Sequence, residues 1–350
     1  MSTDAMPPAA AGAVDVAGWR QACRMTAASA ACLFLAKVMD WPYAAFFAVY
    51  PILLLGLVPV CNLRIFAQFG VSSPVAIMMS GMLAILGNVS PYLASLIFGL
   101  FAAGCFTLMA KGTWFLVGAL SLVSTSILVH LASYPQIDGD MLKTAQLLAT
   151  FVAIIASLLV HAAFPERRAA PAPPTPAPAE RPQRIALGAL CATASYIAFQ
   201  LLDLPDSLSA QAATVLVLFP MTLSAGRRAS WQRALGTLAG SACALAAELL
   251  LHAHPGNLLL LLSLYVPGLL YFGLMHARER TGPAVGLAAA TALAVLAGQL
   301  TPDGDIIGTS LYRFSSVAVA LGTTLLFMFV VDTWLSALFR AGTAEERGRR

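Results

Sequence analysis

Two proline–arginine pairs recur at the same spacing in this sequence. Arg64 follows Pro51 by 13 residues, and Arg233 follows Pro220 by 13. A proline inside a helix removes one backbone donor and frees the carbonyl four residues earlier. In transporters, broken helices near the membrane midplane present such groups to substrate. Tyr50 and Thr222 lie beside these prolines and add hydroxyls. Prolines also simply kink membrane helices, so the pair marks either a substrate site or two bends. Arginine suits a carboxylate, because its planar fork binds both oxygens together. Arg64 and Arg233 at helix entrances would concentrate organic anions. Basic residues also gather at the cytoplasmic ends of membrane helices for topological reasons alone. Both readings of the arginines stay open here.

Ionisable side chains inside apolar stretches are costly and often functional. Three stand out as proton-coupling candidates: Lys37 near the outer end of the first apolar segment, His130 in the fifth and Glu248 in the ninth. Lys37 can also snorkel to the surface, and His130 can bond a neighbouring helix. His252-Ala253-His254 is a weak metal signal, since two histidines alone do not make a site. The six cysteines stand singly and read as small buried hydrophobes. There is no G-x-x-x-x-G-K-[ST] loop for nucleotide, no G-x-S-x-G elbow, no H-E-x-x-H helix and no paired-carboxylate motif. An enzyme is therefore not expected, nor a cofactor, a metal or a nucleic-acid partner.

The elements that must position these residues follow from composition. Of 350 residues, 59% are hydrophobic and only 10% charged, against about 25% charged in soluble domains. The mean hydropathy is +0.81. Such a chain cannot cover a soluble core with polar surface, and its long continuous apolar runs do not alternate as β-barrel strands do. The expected fold is an all-α polytopic membrane protein. Windows of about 20 apolar residues give twelve spans: 22–39, 43–60, 65–87, 92–110, 114–133, 144–163, 185–202, 208–224, 231–251, 257–275, 283–300 and 312–337. The first is read as an uncleaved helix rather than a signal peptide. A Pro/Ala-rich segment, Pro165 to Pro182, reads as an extended solvated linker. The domain reading is a first six-helix repeat over 1–164, the linker over 165–183, a second repeat over 184–340 and a tail over 341–350.

With both termini in the cytoplasm, 17 of the 20 Lys and Arg fall inside, while Asp40, Asp138, Asp140, Asp203, Asp206, Asp303 and Asp305 fall outside. That asymmetry supports twelve spans in this orientation. The halves also align. Asp40-Trp41-Pro42 matches Asp203-Leu204-Pro205, and thereafter an offset of 169 pairs Pro51 with Pro220, Arg64 with Arg233, Gly99 with Gly268 and Lys111 with Arg280. An even number of helices gives both halves one orientation, so a pseudo-two-fold axis along the membrane normal is expected. Gly236-x-x-x-Gly240 and Gly282-x-x-x-Gly286 permit close helix packing within the chain.

Arg233-Ala234-Leu235-Gly236-Thr237-Leu238-Ala239-Gly240, preceded by Arg227-Arg228 and Pro220-Met221-Thr222, resembles the R-x-x-G-T-x-x-G segment of the fusaric-acid-resistance (FUSC) superfamily. The first half keeps Arg64 with a degenerate continuation. The resemblance implies an aromatic-acid-exporter-like protein of the Gram-negative inner membrane. Its relatives export aromatic carboxylic acids and related toxic compounds. They often work with a periplasmic membrane-fusion (adaptor) protein and an outer-membrane channel. Larger members carry sizeable cytosolic domains after each six-helix block, where this sequence has a short linker and a short stretch after Arg340. Distant plant relatives are anion channels. The expected function is thus proton-driven export of small organic acids from the inner membrane. A non-transporting scaffold of an envelope assembly, or an anion channel-like protein, is the alternative.

Overall fold

The computed structural model describes residues 15–57, 62–134, 137–165, 176–202, 208–251, 257–279, 285–299 and 306–348. Among these residues there are helices and no strands. The first six helices are α1 (Val16–Val38), α2 (Ala44–Leu57), α3 (Leu63–Val89), α4 (Pro91–Lys111), α5 (Phe115–Ala132) and α6 (Gly139–Ala163). A single 3-10 turn at Pro178–Glu180 precedes α7 (Arg181–Leu202), α8 (Leu208–Leu218), α9 (Leu223–Leu251), α10 (Leu258–Arg278), α11 (Val285–Gln299) and α12 (Ile306–Gly348). Each helix overlaps one expected span. The middle of the linker, the Asp203-Leu204-Pro205 copy, Arg280, Gly282 and the His252/His254 pair lie outside the described residues.

The helices divide by length and burial. Eight are long and apolar enough to cross a membrane: α3, α4, α5, α6, α7, α9, α10 and part of α12. The apolar α2 and α11 have only 14 and 15 residues, a rise of about 21–23 Å against a hydrocarbon core of about 30 Å. They are also among the most enclosed. Twelve of the 14 residues of α2 and twelve of the 15 of α11 are buried, as are 15 of the 18 of α5. A helix shielded from lipid by other helices does not have to match the bilayer thickness. The outer helices α3, α4, α6 and α10 carry exposed apolar side chains such as Ile85, Leu96, Leu159 and Leu259, the surface a lipid solvent requires.

Packing crosses between the two sets of six. Helix α1 lies on α10 and α4 on α7; α2 lies on α11 and α5 on α8. A side chain at Gly273 would meet Ala22, 3.2 Å away, while Gly188 leaves room for the Phe106 ring. Phe98 stacks on Tyr196 with centroids 4.3 Å apart. Polar groups at these crossings are tied to neighbours. Ser29 donates to the Ala48 carbonyl at 2.5 Å and shares a hydrogen bond with the Tyr265 hydroxyl at 2.6 Å, joining α1, α2 and α10. His276 meets the Gly56 carbonyl through Nε2 at 3.0 Å. Arg24 is fully buried and donates to the Phe164 carbonyl at 2.9 Å, fastening the start of α1 to the end of α6.

Candidate functional site

Six helices meet around a partly open cavity with an empty volume of about 1000 Å3, its mouth included. Helices α2, α3 and α5 line one side and α8, α9 and α11 the other. Most of the wall is apolar, with Phe46, Tyr50 and Phe69 forming an aromatic patch on α2 and α3. Tyr50 bridges the patch, with rings 5.7 Å from Phe46 and 5.8 Å, edge-on, from Phe69. Its hydroxyl is hydrogen-bonded with Ser124. Ser72, Ser73, Ser124, Thr237, Ser241 and Thr291 add further hydroxyls. Arg233 is the one charged residue on the wall among the described residues.

Helix α9 explains how the charge arrives there. Its 29 residues begin ten positions before Arg233, so the arginine sits in the third turn, inside the bundle. The span expected at 231–251 was too short because Leu223 to Ser230 contains two arginines. Arg227 and Arg228 are exposed, and the helix runs on through them. The R-x-x-G-T-x-x-G segment then splits between two neighbouring stripes of α9. Arg233, Thr237 and Ser241 recur every four residues and face the cavity. Gly236 and Gly240 face α11. A Cβ on Gly236 would lie 2.5 Å from the Val285 carbonyl oxygen, and one on Gly240 would run into the Ala289 carbonyl. The glycines let α9 and α11 close on each other, and that closeness carries the arginine to the cavity wall.

Arg233 is half-buried, and the part that remains accessible belongs to a residue of the cavity wall. Its Nε is buried without a hydrogen-bond partner, and among the described residues it makes no ion pair. A guanidinium held away from bulk water without a counter-charge is unfavourable. An entering anion would relieve that cost, and the hydroxyls on α9 and α11 could hydrogen-bond the same ligand.

The other sequence candidates scatter. Tyr50 reaches the cavity, and Pro51 lies inside α2 one residue beyond it. There the proline denies the Phe47 carbonyl its helical donor. Pro220 is not in mid-helix as expected. Helix α8 ends at Leu218, and Pro220 falls in the turn to α9, where Met221 takes a left-handed φ of 54°. Thr222 precedes the first residue of α9, and its carbonyl accepts the Gly226 N–H at 2.8 Å. Arg64 is the second residue of α3 and exposed, its backbone N–H capped by the Asn62 side chain at 2.9 Å. Neither Thr222 nor Arg64 lines the cavity. Lys37 is half-buried in the last turn of α1. His130 is buried in the last turn of α5, 3.1 Å from the Tyr134 hydroxyl. Glu248 is buried in α9, seven residues beyond Ser241 and on nearly the same helical face.

The lining positions carry a register of their own. Phe69 and Thr237, Ser73 and Ser241, Leu120 and Ala288, Val123 and Thr291, Ser124 and Ala292, and Ile127 and Val295 all line the cavity, and each pair is 168 residues apart. At the expected offset of 169, Ser72 and Ser241, Val123 and Ala292, and Ile127 and Leu296 also line it, three pairs against six. At 168, the position matching Arg233 is Ile65, not Arg64. One residue is a 100° rotation of a helix, so Arg64 points off the face that Arg233 occupies. The cavity residues the motifs did not flag are the hydroxyls of α3, α5 and α11; their signal was the recurrence of Ser73 and Ser241 at 168.

Comparison with known families agrees with this architecture. Residues 192–327 match the family described as fusaric acid resistance protein-like. Residues 21–160 match a family described as a protein of unknown function, DUF2955. Curated proteins and solved structures give no match. The family-matched stretch includes the arginine and glycines of α9, the cavity face of α11 and the first half of α12. This is a multi-span helical membrane protein whose residues 192–327 are similar to the fusaric acid resistance protein-like family.

Proposed function

We propose that this chain is an inner-membrane exporter of small organic acids, aromatic acids foremost, and that the cavity is where they bind. The observation that carries the proposal is Arg233, which among the described residues is a guanidinium without a counter-charge on an otherwise uncharged wall of aromatic rings and hydroxyls. A carboxylate would take the guanidinium fork while the ring of the acid packs on Phe46, Tyr50 and Phe69. The twelve helices act as two six-helix repeats around this cavity, with both termini in the cytoplasm. The reciprocal crossings of α1 with α10 and α4 with α7, and of α2 with α11 and α5 with α8, support the repeats. The concentration of basic residues on one side supports the orientation. Transport draws on the proton gradient, with Glu248 as the first candidate for the titrating group. It lies about 22 Å along α9 from Arg233, towards the periplasmic end in this orientation. A periplasmic adaptor protein and an outer-membrane channel complete the route.

The test is a deletion strain challenged with a panel of aromatic acids. The wild-type gene should restore resistance, and Arg233→Ala should not, at equal protein level in the membrane. Full rescue by Arg233→Ala would remove the cavity from consideration. Transport in inverted vesicles should collapse with a protonophore; unchanged transport would rule out proton coupling.

A further inference from the structure

The two sides of the cavity are matched in position and unmatched in charge. On α9 the cavity-facing series is Arg233, Thr237, Ser241; on α3 the positions 168 residues earlier are Ile65, Phe69, Ser73. Ile65 is half-buried and packed against the apolar core. The aromatic patch of Phe46, Tyr50 and Phe69 belongs wholly to the first set of helices. The cavity therefore has one charged side and one aromatic side, and among the described residues the aromatic side offers the hydroxyls of Tyr50, Ser72, Ser73 and Ser124 but no positive charge to neutralise a second carboxylate.

We infer that the cavity selects monoanions, bound in one orientation with the carboxylate on α9 and the ring on α2 and α3, and that residue 65 sets the number of charges accepted. This rests on the reading of the cavity as the substrate site. A dicarboxylate would have to leave its second carboxylate among Phe46, Tyr50 and Phe69, where a lone charge is disfavoured far more than a ring carbon. Rejection would thus come from the unpaired second charge, and the Ile65→Arg variant, which adds charge without adding space, separates charge from size. An arginine at position 65 would stand on the same face of α3 as Phe69 and Ser73, one turn from the aromatic patch. Its long stem could follow the helix surface to bring a second guanidinium to the opposite side.

The experiment is equilibrium binding to the purified full-length chain in lipid nanodiscs. The probes are benzoate against isophthalate, and 2-naphthoate against naphthalene-2,6-dicarboxylate. The wild type should bind each monoanion at least about tenfold more tightly than its dianion, the ratio that one unpaired charge readily exceeds. Ile65→Arg should move both ratios by about tenfold or more towards the dianion, and Ile65→Gln, polar but neutral, should not. Phe69→Arg places the same charge one turn along and serves if Ile65→Arg does not reach the membrane. Equal wild-type affinity for the mono- and dianions would overturn the inference. So would folded Ile65→Arg and Phe69→Arg proteins with unchanged ratios. Arg233→Ala separates the two levels. Loss of monoanion binding in that variant, with any of these overturning results, would sink the charge limit and keep the site. Undiminished binding would sink the site, and the charge limit with it.

Discussion

Along three successive turns of one face, α3 carries Ile65, Phe69 and Ser73, and α9 carries Arg233, Thr237 and Ser241. The last two positions of each series line the same cavity, yet only α9 brings a charge. The helices also start differently. Helix α9 extends ten residues before its arginine, whereas α3 has only Leu63 before Arg64. An arginine deep in a helix reaches the interior, while one in the first turn meets solvent. The difference teaches that two helices lining one cavity can differ in the charge they bring because they differ in where they start.

The largest expected effect comes from the contact that delivers the charge. Gly240→Leu would drive a side chain into the Ala289 backbone. It should cost about 3 kcal/mol or more and remove most folded protein from the membrane. Gly104→Leu, on an exposed face of α4 with open space around it, should leave the level unchanged. Immunoblots of membrane fractions and thermal unfolding in detergent compare them. Equal behaviour of the two variants would mean that α9 and α11 are not so closely packed.

Next in size is the charge itself. Arg233→Ala should weaken organic-acid binding by roughly 10- to 100-fold, the worth of a hydrogen-bonded charged group. Arg233→Lys should recover part of it, since a point charge remains but the fork is lost. The opposite side should matter less. Tyr50→Phe keeps the ring and removes the hydroxyl bonded with Ser124, for a loss of about two- to tenfold. The smallest effect is expected for Arg64→Ala, less than about twofold, because that side chain is exposed and outside the cavity. Titrations of the four variants rank them, and an Arg64 effect as large as that of Arg233 would erase the contrast between the helices.

Much of the architecture could be read from hydropathy because lipid demands long apolar helices. The order and approximate bounds of twelve helices followed. Eight of them are long and apolar enough to cross a membrane; α2, α8 and α11 are too short, α2 and α11 being enclosed by protein, and α1 carries Arg20, Gln21 and Arg24 near its start. The site was legible where a side chain's type was unusual. Arg233 and Tyr50 were singled out and both line the cavity. Pro220 and Arg64, paired with Pro51 and Arg233 at an offset of 169, do not line the cavity. The two halves share few identical residues, and a shift of one position rotates a helix by 100°. The hydroxyls of Ser124 and Thr291 carried no signal and that of Ser73 only its recurrence as Ser241, since serine and threonine are common in membrane helices and only packing shows which face the cavity.

The most direct test of the account is an experimental map of the full-length protein in lipid with 4-iodobenzoate bound, the iodine marking the ring. The account predicts the carboxylate within hydrogen-bonding distance of the Arg233 guanidinium and the iodinated ring against Phe46, Tyr50 and Phe69. A ligand held at Arg64, Arg227 or Arg228, with none in the cavity at saturating concentration, would contradict it.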